Sequence, residues 1–117
     1  MIWALLALSC REAPVDSTPT DTGAEDFCAD APVVRWNNFG EGFMVGNCQG
    51  CHASTATERY GAPENVTFDT VDQVWANAGG ILYTTTSDSP TMPPNGGVDE
   101  DDLMRLQWWL RCAPEGT

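Results

Sequence analysis

The stretch "NCQGCHA", residues 47–53, sets Cys48 and Cys51 two residues apart and puts His52, the only histidine of the chain, directly after the second cysteine. Three chemistries use a Cys-x-x-Cys with such a neighbour: a dithiol that shuttles electrons, a zinc site, and covalent attachment of haem. Each demands a different surrounding fold, so the flanking sequence decides among them.

Upstream, "PVVRWNNFGEGFMVGNC" repeats its apolar residues Trp36, Phe39, Phe43 and Met44 at steps of three and four, the period of one helix face running into Cys48. Downstream, "FDTVDQVWANAG" predicts a second helix with Asp69 or Thr70 as its N-cap, Val71, Val74, Trp75 and Ala78 on one face, and Gly79-Gly80 as its stop. The third is the clearest. "DEDDLMRLQWWLRCAP" opens on Asp99 and three further acids, buries Leu103, Leu106, Trp109 and Leu110, carries Arg105 and Arg111 toward its negative end, and stops before Pro114. Between the last two, "TTTSDSPTMPPNGG" reads as a long polar loop. Three helices make a thin core, and small domains of this kind commonly need a metal, a disulfide or a cofactor at their centre.

A helix before the motif argues against a redox dithiol, which sits after a strand in a parallel sheet. Structural zinc needs four Cys or His ligands, which here would have to include the scattered Cys28 and Cys112. Haem attachment explains more. Two cysteines at this spacing on a turn reach the two vinyl groups of one porphyrin edge, and a histidine immediately after them meets the iron from that side. With one histidine and no lysine in the chain, the sixth ligand cannot be either of those types. Of the methionines, Met1 belongs to the N-terminal apolar run, while Met44 and Met104 sit at helical positions that read as core. Met92 lies in the loop as "TMPPNG", where Pro93 favours an extended backbone, and is the expected distal ligand; the alternative is a packing methionine and an open site.

The ordered set Cys48-Gln49-Gly50-Cys51-His52, "RYGAP" at 59–63, "MPP" at 92–94 and "LQWWL" at 106–110 resembles the small monodomain class I cytochromes c of bacterial type, over about residues 33–112. The resemblance implies an all-α fold of about three main helices wrapped around one covalent haem c. It implies axial ligation by His52 and Met92, and an electron carrier rather than an enzyme. It also implies that the carbonyl of Pro63 accepts from the free ring nitrogen of His52, the alternative being a proline that only ends a turn. Arg59 is expected at a haem propionate, or else simply exposed. Helices at the two ends of this family's fold cross closely, which Gly40 would allow against Trp109, and their meeting suggests a Cys28–Cys112 disulfide; two buried thiols are the other possibility. A haem protein with an open or labile sixth site, binding a small ligand or acting on peroxide, is the alternative function.

The ends of the chain speak to location. "MIWALLALSC" has a short apolar run, too brief to span a bilayer, closing on Ser9-Cys10. It resembles a bacterial lipoprotein signal, with residues 1–9 removed and Cys10 lipidated; a plain secretory signal or a misassigned start are the other readings. Residues 10–26 are acidic and proline-containing with almost nothing apolar, the composition of a tether. As a flexible coil it would reach roughly 20–25 Å. The domain is then expected over residues 27–113, with a tail at 114–117. This places the protein outside the cytoplasm, on the periplasmic side of a bacterial membrane. Seventeen acids against five arginines give a net charge of −12. That excludes nucleic acid as a partner, since phosphate binding needs clustered cations, and favours redox partners with a basic docking surface.

Overall fold

The computed structural model describes residues 22–117, which are helical with no strand among them. Cys10 and the segment 1–21 lie outside the described residues. The elements in chain order are α1 (Thr22–Ala29), a π-helical turn (Trp36–Gly40), α2 (Glu41–Asn47), α3 (Gln49–His52), α4 (Val71–Ala76), α5 (Ala78–Thr86) and α6 (Glu100–Cys112).

The first expected helix runs unbroken over Trp36–Asn47, but its opening turn is π-helical, with both Phe39 and Gly40 donating their N–H to the Arg35 carbonyl at 3.1 and 3.0 Å. Asn38 Oδ1 accepts from the Arg35 N–H at 2.7 Å and closes the start. The helix lies across α6. Gly40 is buried, and a Cβ there would fall 2.7 Å from Cζ2 and Cζ3 of Trp109. Trp36, Phe39 and Trp75 surround the same indole with centroids 6.1–6.5 Å away, two of them edge-on, the arrangement aromatic quadrupoles favour. Gly40→Ala is therefore expected to destabilise by about 1–3 kcal/mol, the range for overpacking a filled core. A thermal unfolding midpoint equal to wild type would disprove this close approach.

Thr70 caps α4: Gln73 N–H donates to Thr70 Oγ1 at 3.3 Å and Thr70 N–H returns to Gln73 Oε1 at 3.2 Å, a reciprocal box. The expected stop at Gly79-Gly80 is not where the helix ends. The break comes earlier, at Asn77, and α5 carries both glycines in its first turn and runs on to Thr86. The three threonines expected in the loop belong to α5 because each hydroxyl donates to a carbonyl four residues back, Gly80, Ile81 and Leu82, at 2.7–2.8 Å. That satisfies the hydroxyl inside a helix that β-branching would otherwise disfavour. The loop proper begins at Ser87 and is tied to α5 by Thr91 and Met92 N–H groups, which both donate to the Thr84 carbonyl, at 2.8 and 3.0 Å. The Met92–Pro93 bond is cis.

In α6 the Asp99 side chain accepts from Asp101 N–H at 2.8 Å, and Leu106, Trp109 and Leu110 are buried as expected while Leu103 is only half-buried. Cys28 and Cys112 form a disulfide that joins α1 to α6, with a Cα separation of 5.4 Å across 84 residues of sequence. In the chain-entropy account, closing so long a loop contributes about 4 kcal/mol. Arg111 places its guanidinium 4.0 Å over the Phe27 ring beside it. These two contacts hold the end of the expected tether, and α1 starts at Thr22, inside the segment expected to be unstructured. At the other end, the expected tail is part of the fold. The Thr117 carbonyl accepts from the indole of Trp109 at 2.7 Å, from that of Trp75 at 3.4 Å, and from the Trp36 backbone at 3.3 Å.

Candidate functional site

Cys48 ends α2 at φ −124°, ψ −42°, a kink that turns the chain into the single helical turn α3, which carries Cys51 and His52. The chain then passes through Ala53 into a loop, returns at Phe68, and the two segments are tied by the Phe68 N–H donating to the His52 carbonyl at 2.7 Å. Gln49 adds a bond from Nε2 to the Phe68 carbonyl at 2.9 Å. This puts the Phe68 ring against the imidazole, 4.8 Å between centroids and near-parallel at 29°.

His52 Nδ1 lies 3.0 Å from the Val66 carbonyl oxygen. A carbonyl only accepts, so Nδ1 carries the proton and the lone pair of the ring is on Nε2. The expected partner, Pro63, does not fill this role. Its carbonyl is engaged instead by Arg59 Nη2 at 2.8 Å and by the Val66 N–H at 3.0 Å, which closes a turn that carries Val66 to the histidine. Nothing in the sequence marks Val66, because the contact is made by its backbone.

These residues open on one cavity of about 490 Å³. Its wall includes every residue singled out around the motif: Cys48, Cys51, His52, Arg59, Pro63 and Met92. Phe43, Phe68 and Ile81 give it an apolar lining, and Asn77, Thr84 and Thr85 of the α4–α5 region bring the far wall. No carboxylate among the described residues lines it. Met92 is 38% exposed at this wall, held by its N–H bond to Thr84. The other candidate sulfurs lie elsewhere: Met44 is fully buried in the core, and Met104 is on α6, half-exposed and away from the cavity.

Cys48 and Cys51 are free thiols. Burial pushes the Cys48 thiol up from 9.0 to about 11. A thiol whose folded value is raised stays neutral, so the folded state is favoured by that proton below the unfolded value and loses the advantage as pH rises from 9.0 toward 11. In the chain bearing free thiols, alkylation of Cys48 by iodoacetamide should stay slow until about pH 11; a midpoint near 9 would show the thiol to be solvated. Among the described residues no group of three or more His, Cys, Asp or Glu side chains comes together as a metal cluster, so the zinc donor set weighed from sequence is not assembled.

Compared with known proteins, the chain matches no family model, no curated protein and no solved structure.

Proposed function

We propose that this chain is a c-type cytochrome that transfers single electrons between partner proteins at a cell-envelope membrane. The observation that carries the reading is the convergence of two cysteines, one histidine and one loop methionine on a single apolar cavity. The cavity fits the group in size and chemistry. Its volume lies within the range of small-molecule and cofactor sites, its walls are apolar, and its two thiols have the spacing that thioether attachment requires.

In this reading Cys48 and Cys51 hold the porphyrin by thioethers, His52 offers Nε2 to the iron, and Met92 offers its sulfur. Bound there, haem would supply a one-electron couple, and a methionine thioether among its ligands would raise the potential. The chain's own residues do the rest. The Val66 carbonyl fixes the tautomer and tilt of the imidazole and makes Nε2 a better donor. Phe68 stacked on the ring limits its rotation. Phe43 and Ile81, both buried, keep water from the interior wall. With His52 and Met92 both given over to the group, the protein would serve as a carrier rather than an enzyme.

The test is spectroscopic and chemical. Protein matured in a host able to attach haem should carry it covalently through denaturing electrophoresis and show a low-spin spectrum. A purified chain with no covalent haem under those conditions would refute the proposal.

Tethering is part of the same proposal. No helix among the described residues is long and apolar enough to cross a membrane; the proposed point of attachment is Cys10, which lies outside them. A lipidated Cys10 would place the domain on the periplasmic side of a bacterial membrane, where the acidic surface suits redox partners with a basic face. Cys10→Ser should move the protein from the membrane to the soluble envelope fraction with its haem spectrum intact, and unchanged partitioning would rule the anchor out.

A further inference from the structure

Arg59 was expected either at a haem propionate or free in solvent. It does something else. Its guanidinium donates to four main-chain carbonyls: Nη1 to Ala53 at 2.8 Å, Nε to Ala62 at 3.3 Å, and Nη2 to both Pro63 at 2.8 Å and Val66 at 3.3 Å. A guanidinium has five N–H donors. Four are therefore committed to the backbone, and the one that remains cannot make the two-pronged contact by which arginine holds a carboxylate.

Two of those carbonyls stand in a particular relation to His52. Ala53 is the residue that follows it, and Val66 is the residue whose oxygen accepts from its Nδ1. One rigid fork thus spans from the carbonyl of the residue after His52 to the acceptor of its ring. The turn between them is costly: Tyr60 adopts φ +50° and Gly61 φ +88°, the left-handed region, which a tyrosine adopts only when its surroundings hold it there. The guanidinium supplies that hold, with no carboxylate among the described residues lining the cavity to draw it away. We propose that Arg59 is the positioning residue for His52, fixing the Val66 carbonyl and through it the orientation of the iron-binding imidazole. This rests on the reading of His52 as a haem ligand.

The lysine variant separates this role from a simple charge effect. Arg59→Lys keeps a cation in place but replaces a planar five-donor fork by a point charge that cannot span four carbonyls. In the ferrous holoprotein, which is diamagnetic, the His52 Nδ1–H proton should exchange with solvent about tenfold faster than in wild type, the effect of loosening one ordinary hydrogen bond, and the midpoint potential should shift. Arg105→Lys on α6 should change neither. Unchanged exchange and potential in Arg59→Lys, with covalent haem retained, would overturn the proposal and leave the cytochrome reading standing. A wild-type chain without covalent haem would overturn both. The wild type also tests the proposal by itself: the Arg59 guanidinium protons should exchange slowly, and fast exchange with free rotation would overturn it even if the variant failed to mature.

Discussion

Loss of all covalent haem is the expected result of changing both Cys48 and Cys51 to Ser. The two thiols line the same cavity as His52, and a serine hydroxyl does not form the thioether that joins sulfur to a porphyrin vinyl carbon. Denaturation should then release any pigment that had bound. Each single variant should keep at most one bond and show the shifted absorption of a haem with one vinyl group unreacted. Effects on folding are a separate matter, since the cavity would lose the group that fills it, and a chain this small has little other core to compensate. Retention of full covalent haem by the double variant would end the cytochrome reading outright.

The second large effect is expected at Met92. Among the described residues its sulfur is the one methionine thioether that lines the cavity, and its backbone is fixed by the bond from its N–H to the Thr84 carbonyl, so the loop is held at the wall. Met92→Ala should abolish the weak long-wavelength ferric band that a methionine–iron bond gives. It should also lower the midpoint potential, because a soft ligand that favours Fe(II) has gone, and open the iron to carbon monoxide or cyanide. Met44→Leu and Met104→Leu are the controls. Met44 is packed in the core and Met104 stands on α6, so both changes conserve volume and should cost less than about 1.5 kcal/mol without touching the spectrum. Loss of the band in either control, with Met92→Ala unaffected, would move the ligand onto a helix. A wild type that already binds carbon monoxide rapidly and lacks the band would favour the open-site alternative, a ligand-binding or peroxide-reactive haem protein.

What could be read from residues alone was whatever the side chains themselves announce. The apolar period of "DLMRLQWWL" gave α6 and its buried Leu106, Trp109 and Leu110, because burial of those side chains is what makes the helix form. The Cys28–Cys112 pairing followed from the resemblance, and the two sulfurs do meet. The motif cysteines, His52, Arg59, Pro63 and Met92 do share one cavity. The failures have a common source in the main chain. Gly79-Gly80 looked like a stop because glycine is costly in a helix, yet α5 continues through it, supported by Ile81 and Thr85 buried against the core. The threonines after it looked like a loop until their hydroxyls were paired with carbonyls one turn back. The resemblance points to the Pro63 carbonyl, whereas the contact to His52 is made by that of Val66, and every residue has a carbonyl to offer. Thr117 was taken for tail because nothing in its side chain says that its carbonyl will receive two indoles.

The Cys28–Cys112 bridge also decides where mechanical load enters the fold. A pull on the chain before Thr22 reaches Cys28 and crosses at once to Cys112, at the end of α6, whose Leu106 and Trp109 are fully buried. Tension is then borne by a helix anchored in the core through those two side chains. The segments that shape the cavity, from Phe43 to Phe68 and from Asn77 to Pro94, lie off that line. With the bridge reduced, the same pull would run along residues 29–35 into the π-helical turn at Trp36 and from there into α2, which leads directly to Cys48. If Cys10 anchors the chain as proposed, the sulfur pair would act as a strain relief, keeping that pull off the motif.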